Sequence, residues 1–181
     1  MTIPGPDMVT ISGLLREGMV SGHMPFLRVS SGSMAPLLRV GDEIGLQAVR
    51  ANHLRRGDII AIADRNQVIT HRFIGLRDMD GRRRILTRGD RALLADQPWT
   101  EDQLLGRVVA RRRGRKRLWL DFGVGYRLNM ALARLARLEH GILQPLRAAD
   151  SSQPATATER LVLVLFRQLS NTLTGAVERI A

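Results

Sequence analysis

The sequence predicts a mainly β protein, an antiparallel β-domain followed by a C-terminal α-helical tail. Three observations predict it. Short apolar runs between residues 26 and 112 are punctuated by Gly-Asp turns at Gly41-Asp42, Gly57-Asp58 and Gly89-Asp90. No long helical pattern lies between those runs. Beyond the basic run Arg111-Arg112-Arg113-Gly114-Arg115-Lys116-Arg117 the apolar period changes from two to about 3.6.

The elements follow in order. Residues 1–7 read as a loop, with two prolines and a glycine. Residues 8–20 suit a short helix, with Val9, Leu14, Leu15 and Val20 on or near one face. Phe26-Leu27-Arg28-Val29 is a short strand leading into Ser30-Ser31-Gly32-Ser33-Met34-Ala35-Pro36. A turn at Gly41-Asp42 precedes a strand through Leu46. Ile59-Ile60-Ala61-Ile62-Ala63 is a buried strand, and Asp64-Arg65-Asn66 turns the chain into a long strand over residues 67–75. Asp80-Gly81 is a hairpin signal, followed by three arginines and the strand Ile85-Leu86-Thr87. A last strand spans Leu104 to Ala110.

The tail carries two amphipathic patterns. Leu128, Leu132, Leu135, Leu138, Ile142 and Leu146 form one helical stripe, with Arg127, Arg134 and Arg137 mostly on its flanks. Asp150-Ser151-Ser152-Gln153-Pro154 reads as a linker. Val162, Leu165, Leu169, Leu173, Val177 and Ile180 mark a second helix over residues 158–180. The expected organisation is an N-terminal segment (1–24), a β-domain (25–117) and a helical tail (118–181) whose two helices pair or lie on a membrane.

A chain of 181 residues suffices for one domain with a real core plus an appendage. It has no cysteine, which excludes disulfides and thiolate metal sites. The net charge of +11 favours anionic partners, nucleic acid or an acidic membrane surface. The few aromatic residues argue against a base-stacking nucleic-acid platform. No apolar run approaches the roughly 18 to 20 residues that span a bilayer, and the N-terminus shows no secretory signal. The expectation is a soluble cytoplasmic chain with peripheral contact at an anionic inner-membrane surface.

The chemistry centres on the serine stretch. Gly32 and Pro36 shape a tight turn that presents a hydroxyl among small neighbours; a Ser/Gly-rich loop is the plainer reading. A serine hydroxyl needs an adjacent base to become a nucleophile at neutral pH. Lys116 is the only lysine and sits beyond the strands, so a lysine base is excluded in practice. Of His23, His53, His71 and His140, only His71 lies on a strand, where side-chain direction is well fixed. A histidine base works better with a carboxylate on its far nitrogen. Asp90 and Asp96 both follow, and residue chemistry alone prefers neither.

The order of motifs adds a resemblance. Ser31-Gly32-Ser33-Met34-Ala35-Pro36, Val40-Gly41-Asp42, Arg56-Gly57-Asp58-Ile59-Ile60, Ile69-Thr70-His71-Arg72-Phe73-Ile74, Leu86-Thr87-Arg88-Gly89-Asp90 with Asp96, and Leu105-Gly106-Arg107-Val108-Val109 occur in sequence. Over residues 24–112 the chain resembles the serine–histidine branch of type I signal peptidases, related to the self-cleaving SOS-repressor proteases. The resemblance implies a β-fold of that kind and a serine endopeptidase without cofactor. Ser33 resembles the nucleophile, His71 the general base, Asp96 the triad aspartate and Asp90 a second aspartate near the site. Ser31 matches a hydroxyl that joins the Ser33 backbone N–H in stabilising the oxyanion. Met34 and Pro36 would line a pocket for small substrate side chains, core packing being the other reading of Met34. The implied partner is a peptide or pre-protein with small residues before the cut, bound as an extended strand.

One departure qualifies the resemblance. About 30 residues without an apolar anchor precede Ser33, where the family carries a transmembrane segment. The chain also resembles a group of short, anchorless bacterial relatives. The alternative reading is a catalytically idle peptidase scaffold acting at a membrane surface through its basic amphipathic tail. Ala155-Thr156-Ala157, with small residues at alternate positions, marks a self-processing candidate.

Overall fold

A computed structural model describes residues 8–65, 67–148 and 156–180. The expected N-terminal loop (1–7), the turn residue Asn66, the linker 150–154 and Ala155 of the self-processing candidate lie outside the described residues, as do the side chains of Val9, Leu146 and Ile180. The chain forms a seven-stranded antiparallel sheet with three helices, mainly β with an α-helical C-terminus. Its elements are α1 (Met8–Val20), β1 (Phe26–Arg28), β2 (Glu43–Gln47), β3 (Ile59–Asp64), β4 (Gln67–Met79), β5 (Arg82–Arg88), β6 (Leu104–Arg113), β7 (Lys116–Trp119), α2 (Gly123–Ala148) and α3 (Ala157–Ile180).

The strand order is β1-β2-β6-β3-β4-β5, with β7 also paired to β6. β3 reads as a continuous apolar run because both its faces are covered. Ile59 and Ala61 join a core with Leu37, Leu38, Ile44, Leu46, Leu105 and Val108, whereas Ile60 and Ile62 join a second core with Phe73, Ile85, Trp99 and Leu104. β4 pairs with β3 through residues 67–72 and with β5 through residues 72–79. Among the described residues, the edge of Gln67–His71 facing away from β3 therefore has no strand partner, and β1 pairs only with β2.

The Gly-Asp turns explain themselves locally. Gly41 (φ 90°) and Gly57 (φ 103°) take backbone angles that favour glycine. The following aspartates turn back on the chain, Asp42 accepting from the Arg39 N–H (2.8 Å) and Asp58 from the Arg55 N–H (2.9 Å). The same small device closes both turns.

The structure corrects several expectations. The inward face of α1 is Ile11, Leu15 and Met19, while Leu14 (62%) and Val20 (84%) are exposed. The basic run 111–117 is a hairpin between β6 and β7, turned at Gly114. Its residues pair in register, so the sheet runs on to Trp119. The arginines Arg82–Arg84 belong to β5, and β4 extends to Met79, because the Asp80-Gly81 turn lets the two strands pair to its edge.

The C-terminal helices pack on the sheet. Leu128 and Leu132 of α2, with Leu173 and Val177 of α3, enter the first core. The expected α2 stripe is partly displaced: Leu143 is buried, whereas Leu138 and Ile142 are exposed. Glu178 of α3 accepts from Arg111 (3.1 Å) and pairs with Arg113, while the Lys116 ammonium donates to the Glu178 carbonyl (2.7 Å). Arg113 also binds Asp42 through two hydrogen bonds of 2.7 Å. Part of the basic hairpin is thus consumed in holding α3. Among the described residues no helix is long and apolar enough to cross a membrane.

Candidate active site

Ser33, His71 and Asp96 meet where the segment after β1, the strand β4 and the loop after β5 converge. In the Nδ1–H tautomer His71 donates to Asp96 Oδ2 at 2.6 Å, and its Nε2 accepts from the Ser33 hydroxyl at 3.1 Å. The His71 and Asp96 side chains are 14% and 18% exposed, enough cover to strengthen the contact while leaving the site open. Asp96 Oδ2 also accepts from the Thr87 hydroxyl at 2.6 Å, and Thr87 Oγ1 accepts from the Trp99 indole N–H at 2.8 Å. One continuous row of hydrogen bonds runs from buried Trp99 through Thr87, Asp96 and His71 to Ser33.

The backbone holds this row in place. Ile85 and Trp99 exchange two N–H···O bonds of 2.9 Å, and the Asp96 N–H donates to the Thr87 carbonyl at 2.9 Å. These contacts close the 88–98 loop and bring Asp96 over β4. The Arg91 N–H donates to the Ser33 carbonyl at 2.9 Å, tying the same loop to the Ser33 turn. Gly89 fills the gap between them. A Cβ there would stand 3.0 Å from His71 Nε2 and 3.3 Å from Ser33 Cβ, so a side chain would press on the pair.

The two aspartates separate. Asp96 faces His71, whereas Asp90 is clamped by Arg72 through Nε (2.7 Å to Oδ1) and a terminal nitrogen (2.6 Å to Oδ2). Arg72 also donates to the Gly57 carbonyl at 2.6 Å and to Asn129 Oδ1 of α2 at 2.7 Å. Asp90 thus braces the loop one residue from Gly89. Ser31 is exposed, with its hydroxyl 3.3 Å from Ser33 Oγ.

Met34 is buried at 2% exposure and lines a cleft beside Ser33. Leu27 to Ser31, Leu38, Ile44, Val68 and Thr70 complete this narrow cleft of about 50 Å³ between the β1 segment and the unpaired edge of β4. Pro36 does not reach it. The Met34–Leu38 turn, with the Leu38 N–H donating to the Met34 carbonyl (3.0 Å), carries Pro36 to a different cavity, against Asp90, Leu132 and Phe166. His23 and His53 lie on other loops, and His140 sits on α2. Among the described residues, no group of three or more histidine, aspartate or glutamate side chains could hold a metal ion.

Residue reasoning alone did not single out Thr87, Trp99, Arg72 or Asn129. A buried tryptophan whose N–H needs an acceptor was the one available signal, and it pointed to no particular partner. No family model matches this chain, and no curated protein matches it.

Proposed function

We propose that the chain is a serine endopeptidase of the signal-peptidase type, cutting a peptide or pre-protein after small residues. The hydrogen-bonded row Ser33–His71–Asp96 carries this reading. His71 takes the Ser33 proton as Oγ attacks the scissile carbonyl carbon. Asp96 keeps the Nδ1–H in place and stabilises the imidazolium. The oxyanion is met by the Ser33 N–H and by the Ser31 hydroxyl, which turns from Ser33 Oγ towards the developing charge. His71 then gives the proton to the leaving amine, and an acyl ester on Ser33 remains. Water, deprotonated by His71, attacks that ester; the acyl C–Oγ bond breaks, and His71 returns the proton to Ser33 Oγ.

The cleft supports the substrate side of the reading. A peptide laid between β1 and the unpaired edge of Gln67–His71 extends the sheet by backbone hydrogen bonds. Its alternate side chains then point at Met34, Leu38 and Ile44, whose close packing favours small groups. Peptides with alanine at alternate positions before the cut should be cleaved by the wild type, and Ser33→Ala should lose at least about 10³-fold. Equal rates for both proteins on every peptide would refute the reading.

A second reading attaches to α3, where Leu161 (59%), Leu165 (54%) and Leu169 (47%) form an exposed apolar stripe on a chain of net charge +11. Such a face suits adhesion to an anionic lipid surface. Co-sedimentation with phosphatidylserine vesicles is expected to fall in a Leu165→Gln, Leu169→Gln variant; unchanged binding removes α3 from that role.

A further inference from the structure

Beside the Arg72–Asp90 clamp lies a cavity of about 160 Å³ between the sheet and α2. That is about ten times the space one water molecule needs. Phe73, Ile74, Ala95 and Ala133 give it apolar walls. Four arginines line it, Arg56, Arg72, Arg88 and Arg137, together with His140. Among the described residues Asp90 is the only carboxylate on its lining, and Arg72 already holds both Asp90 oxygens. Arg56, Arg88 and Arg137 are left in excess over any lining carboxylate. Arg88 is buried to 7% exposure, with one terminal nitrogen donating to the Ala136 carbonyl at 2.7 Å.

We infer that this cavity is a binding site for a small anion with an apolar body, a carboxylate on an aromatic or branched aliphatic group. The apolar walls take the body, and the arginines at the rim take the charge, the usual division of labour in a small-molecule pocket. Two sources share this chemistry, a free carboxylic acid and the C-terminal residue of a peptide. The positive field is also legible in its neighbours. Burial and then the Arg88 charge push the His140 imidazole below its ordinary value, against a hydrogen bond that the ring donates to the Leu93 backbone, which raises it. Burial pushes the Arg88 guanidinium down as well, opposed by Asp90 and Glu139 and assisted by Arg72. Glu139, the nearest acid on α2, is itself held above the ordinary carboxylate range by burial, against Arg167 and Arg88. A carboxylate entering the cavity supplies the counter-charge that the lining lacks. The inference is independent of the chemistry assigned to Ser33.

The experiment is an NMR titration of the full chain with benzoate, N-acetylphenylalanine and, as the neutral control, N-acetylphenylalaninamide. The His140 ring proton, assigned by its loss in His140→Gln, is the reporter. At least one acid should bind saturably, bind about tenfold more tightly than the amide, and raise the His140 titration midpoint by about half a unit or more. Binding of benzoate alone identifies free acids as the ligands; binding of N-acetylphenylalanine identifies peptide C-termini. The exposed pair Arg56→Gln, Arg137→Gln should lose about tenfold in affinity with an unchanged melting temperature. The inference is overturned if neither acid saturates, if the amide binds as tightly as the acids, or if the double variant binds like the wild type.

Discussion

Asp96→Ala will slow peptide hydrolysis by about 10⁴-fold in protein that remains folded. The loss has two parts, the orientation of the His71 ring and the stabilisation of its charged form. The geometry allows them to be separated. The same oxygen of Asp96, Oδ2, accepts from both His71 Nδ1 (2.6 Å) and the Thr87 hydroxyl (2.6 Å). In Asp96→Asn the carbonyl oxygen can occupy that position and accept both bonds, so His71 keeps the tautomer that leaves Nε2 facing Ser33. Only the charge is lost, and the expected reduction is nearer 10²-fold. Adding Thr87→Val removes the donor that fixes the amide, which can then flip its NH₂ towards His71 and spoil the base. The double variant should return towards the alanine value. A loss of less than about tenfold in Asp96→Ala would mean that Asp96 does not serve His71.

Asp90→Ala will produce the largest fall in stability. It strips two hydrogen bonds from the Arg72 guanidinium, whose side chain is 4% exposed, and leaves only the Gly57 carbonyl and Asn129 as acceptors. Breaking a buried ion pair from one side costs roughly 3–5 kcal/mol. For a chain of this size that corresponds to a fall in melting temperature of about 10 °C. The paired change Asp90→Leu, Arg72→Met removes both charges and should recover most of it. Equal melting temperatures for Asp90→Ala and the wild type, by calorimetry, would show that the clamp contributes no net stability.

What could be read in the chain depended on how local its cause was. The strands and turns are local: apolar runs that follow Gly-Asp pairs mark β2 and β3, and Asp80-Gly81 marks the end of β4. The Gly41-Asp42 and Gly57-Asp58 turns each close on themselves within four residues. Gly89-Asp90 has the same two residues and a different use, since Asp90 reaches across to Arg72. Nothing in the local pattern separates the two cases. The choice between Asp90 and Asp96 was open for that reason. It is made by the Ile85–Trp99 bridge and by Arg72, contacts 14 and 18 residues apart in the chain.

The helices show the complementary limit. Period 3.6 locates α2 and α3, but a stripe does not say what covers it. Leu173 and Val177 fit the expected face and are packed into the core, whereas Leu165 and Leu169, on the same stripe, remain exposed. The difference is the reach of the sheet beneath. Arg111–Arg117 looked like a boundary because its charge hid the pairing of β6 with β7. Arg111 and Arg113 bind Glu178, and Arg113 also binds Asp42, so part of the charge that marked the boundary fastens the last helix down.

The most direct test is covalent. The purified full chain is treated with a fluorophosphonate, which reacts only with a serine activated by a neighbouring base, and the adduct is mapped by peptide mass spectrometry. A single adduct is expected on Ser33, absent in Ser33→Ala and slowed at least about 10³-fold in His71→Ala. No adduct on the wild type, an adduct on another serine, or equal labelling of wild type and His71→Ala would contradict it.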